Sequence, residues 1–303
     1  MRIYIFLVLI GLSLTANSQV IMSYNVENLF YPTNDSLKMD DDFTPEGNRR
    51  WTFSKYYTKL TQIAKVIVNV PRCPDIIGLN EVEESKCLED LCHKMPHYPY
   101  KFIHFDSPDE RGIDVAMLYD SIKISIILAK PISIYLDSAD YTRDILYTSV
   151  KYNNKDTLHI FVCHLPSQLG GTNTSQWKRD RVKSIIKHCT DSILCIQKEA
   201  SIIVCGDFNM KPKEDMSPLH NQMLTYTKKG LGTHKYQGEW TCLDQFYVSD
   251  GLVGCSSVQI FDASFLMEED NKYLSTQPKR TFRGYQYNRN GYSDHLPILL
   301  YIK

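Results

Sequence analysis

Carboxylates, amides and imidazoles stand next to the ends of apolar segments throughout the sequence. They are Asn25, Glu27, Glu81, His164, Asp207, Asn209, Asp294 and His295. Such side chains cost free energy when they are buried without partners, but strand ends can bring them together at the mouth of a cleft. Carboxylate and amide oxygens are ligands for Mg²⁺, and imidazoles exchange protons near neutral pH. The pattern therefore indicates a site that can hold a divalent cation and direct a water against an anionic ester.

The elements that must position these residues are predicted from the periodicity of apolar residues. Helices are predicted over Trp51–Val70, Glu83–Lys94 and Gln176–Cys195, the first ending before Pro71. Strands are predicted over Val20–Tyr24, Asp75–Leu79, Tyr100–Phe105, Ile113–Tyr119, Ile122–Ile134, Ile145–Tyr152, Leu158–His164, Ser201–Asp207, Leu243–Ser249, Ser257–Phe261 and Pro297–Ile302. Many strands and few helices in mixed order predict one domain of two packed sheets flanked by helices.

Four motifs together resemble those of the endonuclease/exonuclease/phosphatase superfamily. They are Ser23–Asn28, Asp75–Val82, Gly206–Asn209 and Ser293–Pro297, in the order of that superfamily. The resemblance implies an α/β (α+β) fold, a four-layer α/β/β/α sandwich in which two mixed sheets pack face to face and helices lie outside. It also implies a single catalytic domain over residues 19–303. The expected activity is that of a phosphoesterase that requires Mg²⁺, with Mn²⁺ as a substitute.

The resemblance implies a metal-binding side of the site. Glu81 is the expected first ligand of the cation. Asn25 either adds its amide oxygen or orients the phosphate of the substrate. Asp294 is expected to be a second carboxylate on the metal side or to orient a histidine.

The resemblance also implies a catalytic side. Asp207 orients or deprotonates the attacking water, and Asn209 is its partner on the phosphate side. His295 lies next to the scissile phosphate, and Asp244 holds its imidazole, which fixes the tautomer and favours the charged form. His164 contacts phosphate or the leaving oxygen, with a purely structural histidine as the alternative.

Two further residues have open roles. Arg111 resembles a phosphate-contacting arginine of the deoxyribonuclease branch, and a guanidinium suits bidentate phosphate binding. The alternative is a surface salt bridge. Trp51, which follows Arg49 and Arg50, either lines a substrate cleft or packs at the start of a helix.

Composition limits the class of protein. The 303 residues carry a formal net charge of −1, which argues against a generally basic nucleic-acid binder. A local basic cleft is enough for a nuclease, however. The nine cysteines are odd in number and form no CxxC pair, so neither a zinc ribbon nor a thioredoxin motif is indicated.

The first 18 residues have the pattern of a secretory signal peptide. Arg2 precedes an apolar run from Ile3 to Leu14, and Ala16-Asn17-Ser18 is a cleavage site with small residues. The run has about 12 residues, short of the roughly 20 that span a bilayer. We therefore expect a mature chain that starts at Gln19 and is exported, to the periplasm or the medium.

Three functions remain open at this stage. The first is a secreted, metal-dependent phosphodiesterase that resembles a nuclease and uses an activated water. The second is a phosphomonoesterase of the same fold that acts on sugar, inositol or lipid phosphates. The third is a non-catalytic binding protein on the same scaffold. The expected partner is a phosphate ester, including nucleic acid, with no integral membrane partner, and the expected state is a monomer.

Overall fold

The structure is a computed structural model that describes residues 18–137, 140–153, 156–168 and 172–303. The predicted signal peptide therefore lies outside the described residues, apart from Ser18. The helices are α1 (Phe53–Asn69), α2 (Ser85–His93), α3 (Thr172–Ile196), α4 (Leu224–Lys228) and α5 (Asp250–Val253). The strands are β1 (Gln19–Leu29), β2 (Ile76–Val82), β3 (Tyr100–His104), β4 (Asp114–Asp120), β5 (Ile124–Ile132), β6 (Tyr135–Asp137), β7 (Asp140–Tyr141), β8 (Ile145–Tyr152), β9 (Thr157–His164), β10 (Ser201–Asp207), β11 (His220–Asn221), β12 (His234–Tyr236), β13 (Glu239–Thr241), β14 (Asp244–Val248), β15 (Ser256–Ile260), β16 (Met267–Asp270), β17 (Ser275–Pro278), β18 (Phe282–Arg283), β19 (Gln286–Tyr287) and β20 (Ile298–Ile302).

Two six-stranded sheets form the centre of the molecule. Sheet A has the order β15-β20-β1-β2-β4-β3, and sheet B has the order β11-β14-β10-β9-β8-β5. Each sheet contains one parallel pair, β1 with β2 and β9 with β10, flanked by antiparallel strands. Because the parallel strands of a pair end at the same edge, the residues that follow them meet there.

Successive side chains along the strands of sheet B point to opposite faces, and this explains why the sheet is covered on both sides. Ile160 and Val162 on β9 pack toward sheet A, whereas Phe161 lies in a second apolar cluster with Val182 and Ile186 of α3. This period of two is that of a strand buried on both faces. Sheet B is therefore covered by sheet A on one side and by α3 on the other.

Helix α1 covers the other face of sheet A. Its apolar side chains recur three and four residues apart, and Leu60, Ile63 and Ile67 are buried. Trp51, just before the helix, is fully buried and its Nε1 donates to the carbonyl of Phe30 over 2.8 Å, so it packs at the helix start. The prediction of a four-layer α/β/β/α sandwich is confirmed.

The two sheets lie close enough for direct contact at the edge that carries the polar strand ends. A Cβ at Gly78 of β2 would lie 3.1 Å from a methyl carbon of Val162, so glycine gives the sheets room to approach. Next to it, Asn80 Nδ2 donates to the Cys163 carbonyl over 2.9 Å. The polar ends of β2 and β9 are thereby brought together.

The structure differs from the sequence predictions mainly in its short elements. The long strands and α1 to α3 match within a few residues, but the small hairpins β12–β13, β16–β17 and β18–β19 were not predicted. Strand β1 also continues past Tyr24 to Leu29, with an irregular register after Asn25. All nine cysteines are free thiols, and Cys163 and Cys205 are buried. Among the described helices, none is both long and apolar enough to cross a bilayer.

Candidate active site

The core of the site is one row of residues across the end of sheet B. In the register of the strands, Asp207 of β10 lies opposite His164 of β9 on one side and Asp244 of β14 on the other. All three are buried. His164 Nε2 lies 3.5 Å from Asp207 Oδ2. The sequence predicted His164 and Asp207 from separate strand ends and Asp244 from the family resemblance, and the structure brings the three together.

Gly206 explains why glycine precedes Asp207. Its φ is +139°, and a Cβ there would lie 1.8 Å from the carbonyl oxygen of Cys163. Only glycine fits this conformation and this close approach. The turn continues through Asn209 (φ +49°), whose backbone N–H donates to Asp207 Oδ1 over 2.8 Å. Asn209 Nδ2 donates to the Leu165 carbonyl over 3.0 Å and so ties this turn to the loop after His164.

Sheet A contributes Asn25 and Glu81 from its central parallel pair. Asn25 Nδ2 donates to Glu81 Oε1 and to Asp207 Oδ2, each over 3.1 Å. Asn25 Oδ1 accepts from the backbone N–H of Glu27 over 3.0 Å. The amide nitrogen of Asn25, not its oxygen, thus faces the carboxylates. This favours the orienting role over the metal-ligand role for Asn25.

Glu81 is held at the end of β2 in the left-handed region, with φ +68°. Its Oε2 accepts from the backbone N–H of Asn28 over 2.9 Å. For a residue with a Cβ this conformation costs free energy of order 1–3 kcal/mol, and such residues cluster at functional sites. Burial raises the pKa of Glu81, and the negative charge of Asp294 raises it further.

His295 reaches the site from the loop before β20. The Ser293 hydroxyl donates to the Asn25 carbonyl over 2.7 Å and accepts from the His295 backbone N–H over 3.0 Å, which fixes the loop on β1. His295 Nδ1 lies 2.7 Å from Asp244 Oδ2, and Nε2 lies 3.8 Å from Asp207 Oδ2. The predicted histidine–aspartate pair is therefore present in the geometry.

The two histidines have opposite protonation preferences. Burial lowers the pKa of His164 well below its usual value, and the charges of Arg111 and His295 lower it further. Burial would also lower the pKa of His295, but the carboxylates of Asp244 and Asp207 outweigh it and raise that pKa well above the usual value. Near pH 7 the site thus holds one neutral imidazole and one imidazolium.

Asp207 is the carboxyl group between them. Burial raises its pKa to about 7, although the positive charge of His295 opposes the shift. A carboxylate with a pKa near the working pH suits general base catalysis. Groups whose environments separate their pKa values in this way are candidates for acid and base roles.

Asp294 lies on the more exposed side of His295, next to two residues that the sequence analysis missed. Its Oδ2 lies 3.4 Å from Nη2 of Arg280 and 4.0 Å from Nε2 of His234. The ring of His234 packs on that of His295, with centroids 4.8 Å apart. Neither Arg280 nor His234 follows a long apolar strand, so periodicity gave no signal for them.

Arg111 lies near Glu81 and His164. Its positive charge lowers the pKa of both Glu81 and His164, although in each case burial is the larger influence. Its Nε is 3.5 Å from Asp109 Oδ1, and 48% of the side chain is exposed. Arg111 therefore combines the surface ion pair with a position from which it can reach a bound anion.

The donor set fits a hard divalent cation. Glu81, Asp207 and Asp294 offer carboxylate oxygens, and Glu81 and Asp294 are partly open to solvent. Mg²⁺ prefers such ligands and keeps several waters. Asp294 also belongs to a group with His234 and His295 whose ligand atoms lie within 4.8 Å of one another. Oxygen donors on the Glu81 side match the predicted Mg²⁺ better than this nitrogen-rich group does.

Comparison with known proteins identifies the family. The sequence profile of the Endonuclease/Exonuclease/phosphatase family matches residues 20–303. The chain therefore belongs to the endonuclease/exonuclease/phosphatase family, as its motifs suggested. Members of this family hydrolyse phosphoesters and generally require a divalent metal. No curated protein sequence matches the chain at a significant level.

Solved structures with the same fold have diverse descriptions. Truncated TDP2 of Caenorhabditis elegans is 16% identical, with TM-score 0.60 over 94% of this chain and 97% of that chain. The human Nocturnin catalytic domain with bound sulfate is 15% identical, with TM-score 0.60 over 94% of each chain. A mannosyl-6-phosphatase of Bacteroides thetaiotaomicron is 16% identical, with TM-score 0.58 over 94% of this chain and 100% of that chain. At these identities the similarity shows the fold alone.

Proposed function

We propose that this chain is a Mg²⁺-dependent phosphodiesterase that cleaves its substrate with an activated water, in the manner of a nuclease. The observation that carries the proposal is the convergence on Asp207 Oδ2 of three groups from different strands and loops: Asn25 Nδ2 at 3.1 Å, His164 Nε2 at 3.5 Å and His295 Nε2 at 3.8 Å. A carboxylate surrounded by two imidazoles and an amide can accept a proton from water beside an anionic ester.

Each residue has a chemical task in this proposal. Asp207 takes the proton of the attacking water, and the Asn25 amide holds that carboxylate in place. The His295 imidazolium stabilises negative charge that develops on the phosphate oxygens, and Asp244 keeps the ring charged and oriented. His164, as a neutral imidazole, donates a hydrogen bond to the phosphate. Mg²⁺ held by Glu81 and Asp294 would neutralise charge on the phosphate and orient it.

A phosphomonoesterase is the second candidate. The near-neutral net charge of the chain provides little general attraction for a polyanion. One of the proteins that share the fold is also described as a mannosyl-6-phosphatase. The same catalytic groups serve either ester, so substrate preference separates the two functions.

A substrate panel tests the proposal. Plasmid DNA, single-stranded RNA and bis-p-nitrophenyl phosphate represent diesters, and mannose 6-phosphate and p-nitrophenyl phosphate represent monoesters. We expect kcat/KM with Mg²⁺ to be higher for the diesters, and Asp207→Asn to lose that activity. A preference for monoesters would support the second candidate instead. Absence of hydrolysis for every compound would support a non-catalytic binding protein.

We also propose that the enzyme is exported as a monomer. The apolar run from Ile3 to Leu14 and the small residues before Gln19 support cleavage of residues 1–18. Intact mass of protein from the envelope fraction of a bacterial host should give an N-terminus near Gln19. A retained Met1 would contradict export, and light scattering would detect a dimer.

A further inference from the structure

Arg280 occupies a position at the active site that the proposed chemistry does not use. Its guanidinium lies 3.4 Å from Asp294, which directly precedes the catalytic His295. Within the described part of the chain, Asp294 is the carboxylate with which Arg280 forms an ion pair. About a third of its side chain is open to solvent, 32%, so the cation is accessible to a ligand.

The backbone around Arg280 is held rigidly. The Glu27 carboxylate accepts from the N–H groups of Thr281 and Phe282, over 2.6 Å and 3.1 Å. The Arg280 carbonyl accepts from Asn288 Nδ2 over 3.2 Å. It also lies 2.2 Å from where a Cβ would be at Gly291, so glycine is required for this close approach. The backbone at Arg280 therefore needs no further ordering when its side chain binds an anion.

His234 completes the surroundings of this cation. It packs on His295 with ring centroids 4.8 Å apart, and its Nε2 lies 4.0 Å from the same Asp294 oxygen that faces Arg280. A backbone bridge also links His234 with His295. Arg280 and His234 therefore border the catalytic histidine together, whereas Arg111 acts on Glu81 and His164.

The charge of Asp294 is shared among several neighbours. The oxygen that faces Arg280 also faces Nε2 of His234, and the positive charges of His295 and Lys59 act on the same carboxylate. Asp294 therefore balances the guanidinium only in part, and a substrate anion can bind the remaining positive charge. In the proposed function, the scissile phosphate itself lies at His295 and Asp207. An anion bound by the guanidinium would therefore lie next to it.

We propose that Arg280 and His234 form a subsite for a second negatively charged group of the substrate, next to the scissile phosphate. This inference rests on the proposed phosphodiesterase function. It names the substrate class as diesters that carry a further phosphate, such as an oligonucleotide, in preference to isolated diesters. A guanidinium forms paired hydrogen bonds with phosphate, which a lysine cannot reproduce.

The test compares matched dinucleotides. Thymidylyl-thymidine has one phosphodiester, and its 5′- and 3′-phosphorylated forms add a phosphate on one side or the other. We expect kcat/KM for diester cleavage to be about tenfold or more higher for one of the phosphorylated forms, as expected for a hydrogen bond between charged groups. In Arg280→Gln that ratio should fall to near one, and in Arg280→Lys it should fall partway. Arg280→Lys retains the positive charge and replaces Arg280→Gln as the test variant if the glutamine variant folds poorly. Melting temperatures report on the folding of both variants.

Arg283 provides the matched control. It lies in the same segment, 48% of its side chain is exposed, and it pairs with Glu268 over 2.5 Å. Arg283→Gln should leave the ratio between phosphorylated and unphosphorylated dinucleotide unchanged. If the wild type cleaves the diester but the ratio between phosphorylated and unphosphorylated dinucleotide is the same in Arg280→Gln, the subsite is refuted and the proposed function is not. Absence of diester cleavage by the wild type, for these compounds and for bis-p-nitrophenyl phosphate, would overturn the proposed function and the subsite together.

Discussion

The Nδ1 atom of His295 lies 2.7 Å from Oδ2 of Asp244, and both residues are buried. The other ring nitrogen, Nε2, is 3.8 Å from Asp207. The imidazole thus lies between two carboxylates, which raise its pKa well above the usual value against the effect of burial. A charged, fixed imidazole beside the carboxylate that we propose to activate water is suited to stabilise a transition state that carries more negative charge than the substrate.

The first prediction concerns this pair. His295→Ala should lower kcat by about 10²–10⁴-fold and change KM much less, because the interaction is strongest in the transition state. Asp244→Asn should keep the fold but lose much of the same effect, since an amide does not balance the imidazolium charge. The double variant should be little worse than His295→Ala, because both changes act through one ring. Steady-state kinetics together with melting temperatures measure these effects.

A purely structural role gives the opposite result. If His295 only packs before Pro297 and Asp244 only ends a turn, both variants would lose thermal stability and keep their activity per folded molecule. A folded His295→Ala protein with kcat near that of the wild type would refute the catalytic assignment.

Much of the site could be predicted from the sequence because local pattern determines it. Alternating apolar residues place His164 and Asp207 at the ends of strands, and two neighbouring parallel strands end at one edge. The glycine at position 206 is also explained by local structure, because the turn before Asp207 leaves no room for a side chain. The motif resemblance then supplied the partners on other strands, such as Asp244.

Other parts of the site depend on contacts between distant segments. Glu27 was only a strand-end carboxylate in the sequence, but it binds the backbone of Thr281 and Phe282, more than 250 positions away. Arg280 lies in the loop just before the two-residue strand β18, and His234 begins the three-residue strand β12. Strands this short show no periodicity in the sequence. Which short segments meet is decided by tertiary packing, which one sequence does not reveal.

The second prediction concerns the metal. Excess chelator should abolish activity and added Mg²⁺ should restore it. Glu81→Gln should raise the Mg²⁺ concentration for half-maximal activity by more than about tenfold, since it removes the charge of a ligand. Glu89→Gln, at an exposed glutamate of α2, is the control and should not change the Mg²⁺ requirement. Full activity of the wild type in excess chelator would rule out the metal site.

The third prediction is a pH dependence of stability at Asp114. Burial raises the pKa of Asp114 to about 7 from 3.8, although hydrogen bonds from Ser107 oppose the shift. The folded protein therefore binds this proton more tightly than the unfolded chain does, so the free energy of unfolding falls as pH rises from about 4 to about 7. The effect is on the order of 4 kcal/mol if the whole shift is expressed.

Asp114→Asn should remove this dependence while its amide oxygen still accepts from the Ser107 hydroxyl. Urea unfolding at several pH values should show the variant gaining stability relative to the wild type between pH 4 and 7, with no further gain above that range. Asp191→Asn, at an aspartate of α3 whose side chain is 44% exposed, is the control. Parallel pH profiles of wild type and Asp114→Asn would contradict the assignment.

The fourth prediction concerns Lys59, a fully buried lysine on α1. Its Nζ donates to the Thr281 hydroxyl over 2.5 Å and to the Tyr292 carbonyl over 2.6 Å. It thereby joins the two ends of the segment from Thr281 to Tyr292, which connects Arg280 with Asp294. Burial lowers the pKa of Lys59 to about 8, and the negative charges of Glu27 and Asp294 oppose that shift. The ammonium is therefore a cross-link between the helix layer and the catalytic loop.

Lys59→Met fills a similar volume but removes the ammonium donor from both acceptors, although the Tyr292 carbonyl still accepts from the Thr281 hydroxyl. The free energy of unfolding should fall by about 1.5–3 kcal/mol for each lost hydrogen bond to the charged group. The kcat of the folded variant should also fall, because His295 follows the segment that has lost its anchor. Lys65→Met is the matched control on the same helix. The exposed Lys65 donates to the Tyr292 hydroxyl over 2.9 Å and lies over the rings of Phe265 and Tyr292, and its loss should cost less than about 1 kcal/mol. Equal stability and equal kcat in the Lys59 and Lys65 variants would show that the buried lysine does not position the loop.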